Sequence, residues 1–106
     1  MPADVKKLLT ELKIGLKKLY GERLTRLYLY GSYARGDQRE GSDLDVLVVL
    51  NDFERAPIEL DRTDDLIGEL SLEYLITVSP IFMREKDWLN ADKPLLRNVC
   101  VEGVPV

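Results

Sequence analysis

The chain has 106 residues, 45% hydrophobic and 32% charged, the balance of an ordinary globular domain rather than a disordered or fibrous chain, and room for one domain over residues 1–106. Its 15 basic and 19 acidic residues leave a net charge of −4, which argues against gripping nucleic acid non-specifically through a general positive field. It has no histidine and one cysteine, which removes His-based zinc sites, Ser-His-Asp and Cys-His chemistry and any internal disulfide, and leaves oxygen as the ligand for any metal.

Val5, Leu8, Leu9, Leu12, Leu16, Leu19 and Tyr20 recur at helical spacing, with Lys6, Lys7, Lys13, Lys17 and Lys18 off the stripe. This predicts an amphipathic helix over about residues 4–20, with Asp4 as N-cap, Gly21 as stop and a solvated lysine face. Residues 24–30, Leu-Thr-Arg-Leu-Tyr-Leu-Tyr, read as a strand closed by Gly31-Ser32. Residues 33–42 are polar and suit one helical turn and a loop, with room for a short fourth strand between Arg35 and Ser42. Residues 43–50 form a second strand whose inner end, Val46 to Leu50, is the longest uninterrupted apolar run and is far too short to span a bilayer.

Residues 54–70 suit a helix with Pro57 near its first turn, Leu60, Ile67 and Leu70 on one side, and Asp61, Asp64 and Asp65 on a solvated acidic face. A third strand is expected over 74–79, continuing past Pro80 into Ile81-Phe82-Met83, with Pro80 marking an edge or a bulge. Two short helical pieces follow, 85–91 and 94–102, the second stopped by Gly103; Cys100 reads as a small core residue. The N-terminus lacks the apolar stretch of a signal peptide, which with the lone cysteine gives a cytoplasmic expectation. Helices alternating with strands imply an α/β (α+β) layered domain, a small mixed sheet flanked by helices.

Chemistry concentrates between Gly31 and Asp45. Asp43 and Asp45 are two apart on a predicted strand, so both carboxylates leave one face, roughly 6.5 Å apart along the backbone. Two such groups repel, so either they sit in water at the start of the strand, the commoner case for a bare Asp-x-Asp, or a divalent cation sits between them, which with oxygen ligands is Mg²⁺ or Mn²⁺. Gly31-Ser32 follows a strand and precedes a helical turn, so it is either a plain tight turn capped by serine, the commoner case for a lone Gly-Ser, or a corner whose N–H groups and serine hydroxyl face an anion. With the composition of this chain, Gly-Ser, ten residues, then Asp-x-Asp arises by chance at about 0.002. The spacing sets two metal ligands beside an anion-binding corner, a gap that fits a nucleoside triphosphate bridged by Mg²⁺.

Gly31-Ser32, ten residues, Asp43-Leu44-Asp45 resembles the signature of the nucleotidyltransferase superfamily related to DNA polymerase β. The shortness of the chain makes it similar to the minimal nucleotidyltransferases that act as antitoxins beside helical HEPN-type toxins, and the likeness runs from the first helix to the closing residues 96–106. The resemblance implies a nucleotidyltransferase-like fold in which Asp43 and Asp45 are catalytic and hold the metal, Gly31 and Ser32 hold the β- and γ-phosphates, and Arg35, in Gly-Ser-x-Ala-Arg-Gly, neutralises phosphate charge. It implies attack of a hydroxyl on the α-phosphorus of ATP with pyrophosphate leaving, AMP passing to a tyrosine of the partner toxin. One departure stands out: the third carboxylate usual on a later strand is missing from residues 75–79, and Glu73 is the nearby substitute or a plain surface charge.

Tyr28, Tyr30 and Tyr33 flank the corner, either to stack on a base or to pack on the sheet, the second being the commoner role. Two other functions stay open: a binding module that neutralises a toxin by covering it, which the missing carboxylate favours, and transfer to a small molecule, which the absence of a pocket-forming second domain disfavours.

Overall fold

A computed structural model describes residues 1–90, 99 and 102–106. The first helix, α1 (Ala3–Tyr20), forms where the apolar stripe predicts it, burying Val5, Leu8, Leu9, Leu12, Leu16 and Tyr20. Asp4 lies in the first turn rather than at the cap, which is Pro2, and Lys17 and Lys18 lie in the last, both favourable to the helix dipole. Leu19 departs from expectation: 44% exposed, it sits beyond the edge of the stripe. Gly21, at φ 57, ends the helix by donating its N–H to the Lys17 carbonyl, and a 3-10 turn (Gly21–Arg23) leads into β1 (Leu24–Tyr30).

A four-residue helix, α2 (Ser32–Arg35), follows β1, and a loop returns the chain to β2 (Leu44–Leu50), one residue later than expected. The fourth strand is not in that loop. It is β4 (Val104–Pro105), two residues pairing antiparallel with Tyr28 and Leu29. The long helix α3 (Ala56–Tyr74) carries Pro57 in its first turn, where the missing N–H costs nothing, and overruns the expected end.

As a result, the third strand, β3 (Val78–Arg84), starts later than the expected 74–79, because Ser71 to Tyr74 complete the helix and Leu75 closes it in the left-handed conformation at φ 55. A short α4 (Glu85–Leu89) ends before the expected residue 91. Cys100 and most of the helical piece expected over 94–102 lie outside the described residues.

The sheet order is β3-β2-β1-β4, with β2 and β3 parallel through the α3 crossover and the other pairs antiparallel. Pro80 is therefore on an edge strand, as a residue without an N–H should be. The two long helices share one sheet face, where Leu27, Leu29, Leu44, Val46, Val48, Leu50, Val78 and Phe82 join the α1 stripe. Gly15 lets them meet: a Cβ there would come within 2.6 Å of Leu66 Cδ1.

The buried side of α3 is the expected one in part: Leu70 is buried and Ile67 packs against the core, but Leu60 does not. Leu60 is 42% exposed, while Glu59 and Thr63 are buried with Leu70. The register works because Tyr20 Oη donates to Glu59 Oε1 at 2.8 Å and Arg62 Nε lies 3.6 Å from that oxygen, so the buried carboxylate is partnered. Burial, reinforced by Glu59, raises the Tyr20 hydroxyl well above the usual phenol range. Asp61, Asp64 and Asp65 are exposed, as expected. Among the described residues no helix is long and apolar enough to cross a membrane.

Candidate functional site

Alternation along the strands sends the other side chains to the opposite face. There Tyr30, Leu47, Val49 and Val99 are buried together, with Tyr28, Met83 and Trp88 packed against them. At the end of this face, where β1 stops and β2 starts, lies a cleft of about 420 Å³ lined by Tyr30, Gly31, Ser32, Arg35, Ser42, Asp43, Asp45 and Glu102. The residues singled out for metal and nucleotide, Asp43, Asp45, Gly31, Ser32 and Arg35, thus all meet in one hollow.

The local sequence explains the corner. Gly31 has φ 76 and ψ −155, a region essentially reserved for glycine, and its carbonyl accepts from the N–H groups of Ala34 and Arg35, both at 3.1 Å. A Cβ at Gly31 would collide with Asp45 Oδ2. Glycine is needed twice over here, for the turn and for the carboxylate pressed against it. The N–H groups of Ser32 and Tyr33, the first two of α2, have no acceptor one turn back within the helix. Gly36, left-handed at φ 79, closes α2.

The return loop is tied by Ser42, whose N–H donates to the Arg39 carbonyl and whose Oγ accepts from the Arg39 N–H, both at 2.9 Å. Asp43 follows, exposed, and then Leu44, whose N–H donates to the Thr77 carbonyl at 2.8 Å. Asp45, half-buried, pairs with Tyr30 on one side and Ser79 on the other.

Electrostatics follow from this crowding. Desolvation, and then the neighbouring Asp43, raise the Asp45 carboxyl above its ordinary value, with Arg35 pulling the other way. Burial, and then Asp45, push the Tyr30 hydroxyl up to about 12, so it keeps its proton at neutral pH. Hydrogen bonds to Asp37 and then Glu102 make the exposed Arg35 guanidinium hold its proton still more firmly.

The remaining candidates separate. Of the three tyrosines, Tyr30 alone lines the cleft; Tyr28 stacks on Trp88 at 4.8 Å between centroids, and Tyr33 packs toward the helical core. Glu73 does not approach Asp43 or Asp45. It lines a different hollow with Lys6, Lys7, Thr10, Glu11 and Tyr74, because it lies on α3 rather than on β3. The β3 position opposite Asp45 is Ser79, and among the described residues no three His, Cys, Asp or Glu side chains converge as a metal site.

Sequence reasoning missed Glu102, a carboxylate that enters this cleft and accepts from Arg35 Nη1 at 3.1 Å. The two residues are 67 apart, and no spacing signal links them.

Comparison with known proteins bears on most of the chain. The family model described as nucleotidyltransferase domain matches residues 9–99. Two Methanocaldococcus jannaschii proteins, each named "putative protein adenylyltransferase", are 35% identical over 92% of this chain and 92% of their own length, and 32% identical over 77% and 82%. Among solved structures, a toxin–antitoxin with AMP-PNP matches at TM-score 0.63 and 23% identity over 91% of this chain and 69% of the other. A "putative minimal nucleotidyltransferase" matches at 0.61 and 23% over 95% and 90%. A complex of tri-AMPylated Shewanella oneidensis HEPN toxin with MNT antitoxin matches at 0.53 and 21% over 92% and 68%. These structural likenesses concern the fold, which is that of the minimal nucleotidyltransferases.

Proposed function

We propose a reaction for this chain from one premise: it belongs to the nucleotidyltransferase domain family and is an enzyme of that class. The reaction is transfer of AMP from ATP, with Mg²⁺ or Mn²⁺, to a tyrosine hydroxyl on a helical HEPN-type toxin, which this chain serves as cytoplasmic antitoxin. The observation that carries the reading is the meeting of Asp43 and Asp45 with the Gly31-Ser32 turn and Arg35 in a single cleft. The names of the relatives support the adenylyl group, and the AMPylated toxin of the Shewanella complex supports the class of acceptor.

The donor set suits a divalent cation. The two side chains offer only oxygens, and burial and its neighbour raise the proton affinity of one of them, so a cation held by both would offset their repulsion; Mg²⁺ is commonly held by one or two carboxylates plus phosphate oxygens. Asp43 and Asp45 would hold it, and when bound it neutralises charge developing around the α-phosphorus. The N–H groups at the start of α2 and the Ser32 hydroxyl donate to the β- and γ-phosphates, and Arg35 offers its guanidinium to the same oxygens. The acceptor oxygen attacks the α-phosphorus and gives up its proton to solvent, the bond to the α–β bridging oxygen breaks, and pyrophosphate leaves with that oxygen. Tyr30, protonated, has an O–H to donate at this site.

Incubation with Mg²⁺, ATP and a helical HEPN-type toxin, where one is encoded beside this chain, should add one or more AMP units to that protein, read by intact-mass spectrometry. Asp43→Asn with Asp45→Asn should lower the rate by at least about 10²-fold. One observation favours a second reading, neutralisation by covering: Ser79 stands where a third carboxylate would face Asp45. If the doubly substituted chain protects cells as well as its parent, covering is the function and transfer is dispensable.

A further inference from the structure

We propose that Glu102 sets the affinity of the cleft for polyphosphate by competing with it for Arg35; the inference rests on the nucleotide site proposed above and adds an affinity-setting residue to it. Arg35 Nη1 donates to Glu102 Oε1 at 3.1 Å and to Oε2 at 3.4 Å, while its Nε donates to Asp37 Oδ2 at 3.2 Å. Asp37 is a mostly exposed neighbour in sequence. Glu102 is different, with a side chain only 26% exposed.

The fold delivers that carboxylate on purpose-built backbone. Val99, 1% exposed, is buried with Tyr30, Leu47 and Val49, and β4 pairs with β1 directly after Gly103. Between these anchors the Gly103 N–H donates to the Val99 carbonyl at 2.7 Å, and a Cβ on Gly103 would collide with that same oxygen. Glu102 is thus held at the cleft from both sides by contacts that do not involve its own side chain.

Carboxylate and phosphate compete for a guanidinium because both present paired anionic oxygens to the same fork of donors. Once polyphosphate takes Arg35, the Glu102 charge stays in a cleft that already holds Asp43 and Asp45, without its cation. Every binding event therefore includes the loss of this pair, which weakens binding and, for the same reason, speeds release of pyrophosphate.

The test uses the full chain and two probes, ATP with Mn²⁺ and inorganic tripolyphosphate with Mn²⁺, with dissociation constants from calorimetry and, in the millimolar range, from ligand-observed NMR. Glu102→Gln keeps the shape and removes the charge, and should bind both probes about tenfold more tightly. Glu102→Asp keeps the charge but withdraws it by one methylene, and should gain by a smaller factor. In an Arg35→Ala chain, Glu102→Gln should change affinity less than about twofold, since nothing is left to compete for.

Equal or weaker binding by Glu102→Gln overturns the inference, because Glu102 would then be orienting Arg35 or be idle. A gain that persists undiminished in the Arg35→Ala chain also overturns it, showing a general field effect rather than competition. If the parent binds neither probe, the nucleotide site itself falls and takes this inference with it; binding by the parent without a gain in the variant removes the inference alone.

Discussion

The face of the sheet under the helices and the face carrying the cleft are fed by alternate residues of the same strands. On β2, Leu44, Val46, Val48 and Leu50 point under α1 and α3 and are at most 1% exposed, while Asp45, Leu47 and Val49 point the other way. On β1 the split is Leu27 and Leu29 against Tyr28 and Tyr30. A seven-residue strand therefore anchors itself with one set of side chains and presents charge with the other. Asp45 is placed accurately because its neighbours Leu44 and Val46 are locked in the core, a rigid support that a loop carboxylate such as Asp43 has on one side only.

The largest effect should come from the helix-covered face. Leu12 is wholly buried, and Leu12→Ala should lower the free energy of unfolding by about 3 kcal/mol in a denaturant titration, while leaving transfer per folded molecule unchanged. A drop in activity beyond the unfolded fraction would show that the two faces are coupled rather than divided in labour.

Next is the residue where the faces meet. Gly31→Ala should cost about 2 kcal/mol from the backbone alone, since φ 76 with ψ −155 excludes a side chain. Unlike Leu12→Ala, it should also weaken nucleotide binding in molecules that remain folded, because the new methyl displaces the Asp45 carboxylate. Calorimetry on the folded fraction separates the two losses.

How far the sequence is legible follows the same division. Periodicity alone places α1, β1 and β2, because burial on one side writes a strong pattern into the residues, and the Gly31-Ser32 to Asp43-Leu44-Asp45 spacing marks residues that do line one cleft. Composition misleads at the α3–β3 junction: Tyr74-Leu75-Ile76 is apolar like a strand, yet Leu75 is 88% exposed and ends a helix. The inward face of α3 depends on Glu59 finding the Tyr20 hydroxyl 39 residues away, and the cleft depends on Glu102 arriving by way of a two-residue strand. Both are tertiary events with no local pattern.

A smaller effect tests that misread junction. Leu75 adopts φ 55, a conformation that costs a branched side chain and suits glycine, and its exposed side chain has little packing to lose. Leu75→Gly should raise stability by about 0.5 kcal/mol, the relief of strain exceeding the extra entropy of glycine in the unfolded chain. An unchanged or lower midpoint in urea would mean that the leucine makes contacts worth more than its backbone strain.

The gentlest perturbation asks what the cleft costs the fold. Burial and Asp43 raise the Asp45 carboxyl above its ordinary 3.8, so the folded chain holds that proton more tightly than the unfolded one. The associated stability is complete below the unfolded value and is lost as pH rises through the higher folded one. Asp45→Asn, which resembles the protonated acid at every pH, should therefore melt above its parent at pH 7 and level with it at pH 3. A divalent cation should narrow the difference at pH 7 by stabilising only the parent, since it lies against the charge that burial disfavours. Equal melting at both pH values would mean that solvent screens Asp45 well enough to make it as comfortable as Asp43, and the contrast between the two aspartates would vanish.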